Sequence, residues 1–137
     1  MSYTIKKAAH ITDEVRIEDA GQELVINVNI YVDDIMERFE HCRRQIIAAQ
    51  QNIQDLKKSG KTPEETIDEA QAALGSSITA LFVLIFGREQ TERIVQFYDG
   101  RYASMLSDFL PYIVNTILPA VQETQKGLAE RYSKWNR

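Results

Sequence analysis

Between Ile78 and Val121 the chain sets three segments in a row: an uncharged helix ending in IFG, a charged amphipathic turn-and-helix (REQTERIVQFYDG), and a long apolar stripe broken by Pro111 and Pro119. The first constrains the fold most. Ala70 to Phe86 carries no charge and closes with LFVLIF. Such a segment belongs either in a bilayer or in the middle of a bundle. A membrane span needs about 20 predominantly apolar residues. This run is shorter, contains Gln71, Ser76, Ser77 and Thr79, and continues an acidic half-helix. It therefore predicts a helix buried centrally in a bundle, with no membrane partner. Its stripe is Ile67, Ala70, Leu74, Ile78, Leu81 and Ile85, and past Ile78 it is apolar all round, so its second half is expected to be enclosed on every side.

The preceding segments supply partners for that helix. Val15 and Ile17, then Leu24, Ile26, Val28 and Ile30, alternate with polar neighbours, the period of a half-buried strand. EDAGQ between them is turn chemistry, with Gly21 free to take a positive φ. A lone two-stranded ribbon is marginal in water, so it must lie on a helix or complete a sheet with another copy. Asp34 and Glu37 have the spacing of a capping box. Ile35, Phe39, Cys42, Ile46, Ala49, Ile53 and Leu56 then recur at alternating intervals of four and three, a seam for an antiparallel partner helix. KKSGK stops this helix at Gly60. Thr62-Pro63-Glu64-Glu65 opens the uncharged one, with Thr62 expected as N-cap, Pro63 at N1 and Glu65 closing the box.

After Gly87 a short helix is expected to turn Ile94, Val95 and Tyr98 inward and to close at Gly100. Leu106, Phe109, Leu110, Ile113, Val114, Ile117, Leu118 and Val121 hold helical spacing. Because proline removes a backbone bond, a kink or short interruptions are expected at Pro111 and Pro119. The reading is a mainly α protein, a bundle of four to five helices preceded by a short N-terminal β-hairpin. It forms one domain: 1–32 the strand pair, 33–121 the bundle, and 122–137 a polar tail that frays or is ordered by a partner.

Charge and chemistry exclude several classes. A net charge of −4 argues against nucleic acid as a partner, because that surface needs clustered Lys and Arg. Lys126, Arg131, Lys134 and Arg137 outnumber Glu130 in the tail, which reads as a solvated helix end. Cys42 is the only cysteine, so neither an internal disulfide nor a Cys-based zinc site can form. MSYTIKKAAHITDEV has no apolar core behind Lys6 and Lys7, so a cytoplasmic location is expected. His10 falls in the N-terminal segment, and His41 lies about 100° around the helix from Cys42, so the two cannot face each other as base and nucleophile. Glu37 and His41 stand at i and i+4, and read as a solvated pair. The acidic pairs sit at helix starts, where the macrodipole accounts for them, and no phosphate-loop or hydrolase motif occurs. No catalytic, cofactor or metal residue is assigned, and the chain is not expected to be an enzyme. Aromatic side chains outside the inward stripes, Phe97, Tyr102 and Trp135, are the candidate partner-binding anchors.

The order of these features resembles a known family. VRIEDAGQELVINV leads into a first long helix; a second helix, acidic at its start, ends in a hydrophobic run and FG. Then comes ERIVQFYDGRYASMLSDFLPYIVNTILP, with Tyr102, Met105 and Leu106. The pattern, over residues 15–121, looks like the tail assembly chaperones of long-tailed bacteriophages and prophages, in particular the small acidic helical type from phages of Gram-positive hosts. The resemblance implies a self-associating, non-enzymatic holdase in the cytoplasm of the bacterial host. Its partners would be the tape measure protein and the tail tube protein, and it would be absent from the finished particle. It also implies a longer product made by ribosomal frameshifting. The alternative is a structural tail or head-tail connector component retained in the virion.

Overall fold

The computed structural model describes residues 1–6, 10–60 and 63–135. Chain order is β1 (His10–Asp19), β2 (Gln22–Tyr31), α1 (Ile35–Ser59), α2 (Glu64–Phe86), α3 (Arg88–Phe97), α4 (Tyr102–Tyr112), a π-helical segment (Ile113–Ile117) and α5 (Leu118–Trp135). The fold is thus mainly helical behind an N-terminal hairpin, as the sequence predicts.

The strands pair antiparallel from His10 opposite Tyr31 to Asp19 opposite Gln22. β1 begins at His10, earlier than expected, so His10 belongs to the strand and its ring stacks on Tyr31 at 5.3 Å. Both loop residues, Ala20 (φ 48) and Gly21 (φ 86), are left-handed, the requirement of a turn whose twist matches the strands. Within the chain the ribbon lies on helices. Ile26, Val28, Ile30 and Val32 are buried where β2 packs on α2 and α3, and Ile11, Val15 and Ile17 of β1 cover the same core. The outer face is polar, with Arg16 paired to Glu14 (3.2 Å) and Glu23 (3.0 Å).

α1 buries Ile35, Phe39, Cys42, Ile46 and Ile53, with Ala49 and Leu56 half-buried, so its seam is the one the intervals of four and three predict. Its start differs. Asp34 makes no side-chain cap, and the helix opens on backbone bonds, Ile35 N–H to Val32 O (3.4 Å) and Arg38 N–H to Asp34 O (3.2 Å). Gly60 ends it at φ 65. At the head of α2, Pro63 is the N-cap itself and not N1: at ψ 143 it is extended, and its carbonyl accepts from Thr66 (3.1 Å) and Ile67 (3.4 Å). Thr62, the expected cap, lies outside the described residues.

α2 is long and apolar enough to cross a membrane by length and composition alone. Here it packs on α1, β2, α3 and α4, burying Ala70, Gly75, Ile78, Leu81, Phe82, Ile85 and Phe86. Phe82, Phe86 and Phe109 form an aromatic triangle with ring centroids 5.1 to 5.5 Å apart. Gly75 lets α4 approach, since a Cβ there would meet Tyr102 Cδ2 at 2.8 Å. Enclosure on every side does not occur. Ser76 and Ala80 are exposed and Thr79, Val83 and Leu84 only half-buried, because α1 and α3 flank this face without closing over it.

The prolines do not break the last helix. Backbone angles stay helical from Tyr112 (φ −63, ψ −47) through Leu118 (φ −61, ψ −45). The interruption is instead a change of hydrogen-bond register, in which Leu118 N–H donates to Ile113 O, five residues back. Proline clashes with the carbonyl four residues before it. The widened turn, Ile113–Ile117, lies just before Pro119 and contains Asn115, four residues back from it. Pro111 lies on the exposed side with Ser107, whose carbonyl lacks the usual donor four residues on and can face water. The π turn also keeps the core in line. Phe109, Ile113, Ile117 and Val121 are all buried at steps of four. At about 100° per residue an unbroken α-helix would carry Val121 about 120° off the face of Phe109. One extra residue in one turn recovers about 100° of that. Leu110 (40% exposed) and Val114 (50% exposed) fall outside this stripe, contrary to the sequence expectation.

The polar tail is helical to Trp135. Gln125 Nε2 donates to Val32 O (2.8 Å), a backbone acceptor 93 residues away, and Leu128 packs on the core. Two tyrosines complete the frame: Tyr112 donates to Asp13 (2.7 Å), tying the last helix to β1, and Tyr98 donates to Asp108 (2.8 Å) across the α3–α4 turn.

Phe109→Ala is expected to lower stability by about 3–5 kcal/mol, and Leu110→Ala by less than about 1 kcal/mol, in urea unfolding. Burial, then the hydrogen bond to a carboxylate, pushes the Tyr112 and Tyr98 hydroxyls above their ordinary value. The folded chain therefore holds these protons where the unfolded chain releases them. Stability is intact below about pH 10 and falls as pH rises beyond it. Tyr112→Phe should flatten that alkaline fall while lowering neutral-pH stability by about 1 kcal/mol, read from melting temperature against pH.

Candidate functional site

The uncovered face of α2 is the floor of a long cleft. One part, about 720 Å³, runs between the start of α1 (Glu37, Arg38, His41, Cys42, Gln45) and the end of α2 (Ser76, Thr79, Ala80, Val83, Leu84), closed by Arg88. An adjoining part, about 450 Å³, shares Thr79, Val83 and Arg88 and continues over α3 to Thr91, Glu92, Val95, Gln96 and Tyr102. Ala80, Val83, Leu84 and Val95 make an apolar floor; charged and amide side chains of both signs line the rims. Antiparallel packing of α1 on α2 creates this shape, since the seam of α1 covers one side of α2 while Arg38 and His41 stand off its edge.

Two groups in the cleft bear on its chemistry. Cys42 is 8% exposed, and burial raises its thiol above the ordinary value despite the opposing pull of Arg38. At neutral pH it is a protonated wall residue, not a nucleophile. Thr91 is 1% exposed, and its hydroxyl has no hydrogen-bond partner among the described residues. A buried hydroxyl left unpaired costs about 1–3 kcal/mol, which a polar group entering the cleft would recover. His41 and Glu37 stand on the exposed rim, and no group of three or more His, Cys, Asp or Glu side chains is gathered for a metal among the described residues.

The three aromatic anchors read from the sequence are not brought together. Tyr102 is half-buried, packs over Gly75 and ends the α3 part of the cleft. Phe97 is half-buried in a separate recess beside the hairpin turn, its ring 6.0 Å from that of Tyr98. Trp135 is 82% exposed at the end of α5. Sequence reasoning missed Thr79, Val83 and Val95 as cleft residues, because an all-round apolar helix gives no signal for which face stays open.

No protein-family profile, curated protein or solved structure matches this chain.

Cys42 offers a direct probe of the cleft. Its reaction with a thiol reagent at neutral pH is expected to be roughly tenfold or more slower in the folded than in the unfolded chain. Equal rates would mean the wall is not formed in solution.

Proposed function

We propose that this chain is a non-enzymatic assembly chaperone of the phage-tail type. It holds an amphipathic helical segment of a tape measure protein while tail tube subunits polymerise around it. The observation that carries the reading is the open apolar face of α2, with Val83 and Leu84 half-buried between polar rims. A helix-in-groove partner lays its apolar stripe on such a floor and leaves its polar face to the rims. Repeated weak contacts along one extended client would add through multivalency. The element order and the Tyr102–Met105–Leu106 segment, which resemble the tail assembly chaperones, point to the same client.

Co-expression with a candidate tape measure protein is the test. The expected result is a soluble, co-purifying complex that Val83→Asp abolishes, with the helical circular dichroism of the variant unchanged because the site is half-exposed. A client that stays insoluble, or is held equally well by Val83→Asp, would overturn the reading. Stoichiometric recovery of the chain from purified virions would instead identify a structural tail or connector component.

A further inference from the structure

The α2 cleft differs from one end to the other. Its apolar floor of Ala80, Val83 and Leu84 runs from Gln45 and Ser76, which are uncharged, to Arg38, His41 and Arg88. Glu37 is the one acid lining this part among the described residues. The chain as a whole carries a net charge of −4, and the recess beside the hairpin turn is lined by Glu18, Asp19, Asp99 and Asp108 against Arg101. Cations gathered at one end of a groove run against that acidic background.

Helix ends add to the charge. α1 starts here at Ile35 and α3 at Arg88, while only α2 stops here, at Phe86. A helix start carries about half a positive elementary charge and a helix end about half a negative one, so the balance is positive before any side chain is counted. The two guanidiniums are also free to bind. Arg16, Arg43 and Arg93 are each held by a neighbour: Glu14 and Glu23, Glu40, and Gln90 respectively. Neither Arg38 nor Arg88 has a side-chain hydrogen bond or ion pair among the described residues, although Glu92 stands one turn beyond Arg88 on α3.

Such an end discriminates by charge. The apolar stripe of a partner helix meets Val83 and Leu84 whatever flanks it. A Lys or Arg beside that stripe would meet two like charges, and a Gln would bring no charge to answer them. An Asp or Glu accepts from a guanidinium in the fork geometry that suits a carboxylate. We propose that Arg38 and Arg88 form a carboxylate subsite at the end of the α2 cleft, which selects client helices carrying an Asp or Glu one turn beyond the apolar stripe. This rests on the reading of the cleft as a helix groove, and adds which helix it takes and in what register. The floor alone lets a helix slide; the carboxylate fixes where it stops.

Fluorescence anisotropy on the full chain tests this with labelled amphipathic peptides of about 18 residues, long enough to hold a helix. The peptides share a Leu stripe and differ only one turn beyond it at either end, where they carry Glu, Gln or Lys. The Glu peptide is expected to bind about tenfold tighter than the Lys peptide, with Gln between them. That preference should shrink with added salt. Arg38→Glu with Arg88→Glu should reverse the order, with the circular dichroism of the folded protein retained because both positions are exposed. The Gln peptide, neutral at its flanks, reports on the floor alone, and Val83→Asp should abolish its binding. Equal binding of the three peptides, or an order that the double substitution leaves unchanged, would overturn the subsite while loss of the Gln peptide in Val83→Asp keeps the groove standing. Binding of no peptide, or Gln-peptide binding indifferent to Val83→Asp, would overturn the groove reading and the subsite with it.

Discussion

Burial of one uncharged helix organises this protein. α2 from Ala70 to Phe86 buries most of its apolar surface against α1, β2, α3 and α4, and the core is built around it. α1 covers one side through its seam, and β2 with α3 covers another. α4 covers a third, where Gly75 admits the Tyr102 ring. The aromatic triangle of Phe82, Phe86 and Phe109 locks α2 to α4 near their contact. Hydrophobic burial has no direction of its own, so the orientation comes from these specific shapes.

The hairpin needs that body as much as the body needs the hairpin. A two-stranded ribbon is marginal alone, and this one is held by its apolar face and by polar ties at both ends. Tyr112 bonds to Asp13 within β1, and Gln125 bonds to Val32 just past β2. Both partners sit on the continuous helix of α4, the π segment and α5, which therefore acts as a spine along the ribbon. A broken helix would have lost one of the two ties. The single π turn before Pro119 resolves a conflict between proline sterics and the steps of four in the core stripe.

The core leaves one side of α2 and both ends of the molecule uncovered. The open side of α2 is apolar between polar rims, the form of a groove for a helix. The two ends of the molecule carry opposite charge around exposed or half-buried aromatics. Burial raises the Cys42 thiol, and the raised Tyr98 and Tyr112 hydroxyls belong to structural hydrogen bonds.

The sequence by itself determined the elements whose signals are local and periodic. The seam from Ile35 to Leu56, the alternation of β2, the stop at Gly60 and the central α2 all follow from intervals of two or three to four, because side-chain direction follows backbone geometry. The same local logic misread places where a distant partner decides. Asp34 makes no cap, because backbone acceptors at Val32 and Asp34 itself serve the helix start. The interruption expected at the prolines is present, but as a π turn at Ile113–Ile117 that keeps the buried stripe in line and not as a break. Gln125 anchors the first half of α5 to an acceptor 93 residues away, a pairing invisible along the chain. Which face of α2 stays open, and which aromatics meet, depends on how helices pack side by side, and that only the tertiary structure decided.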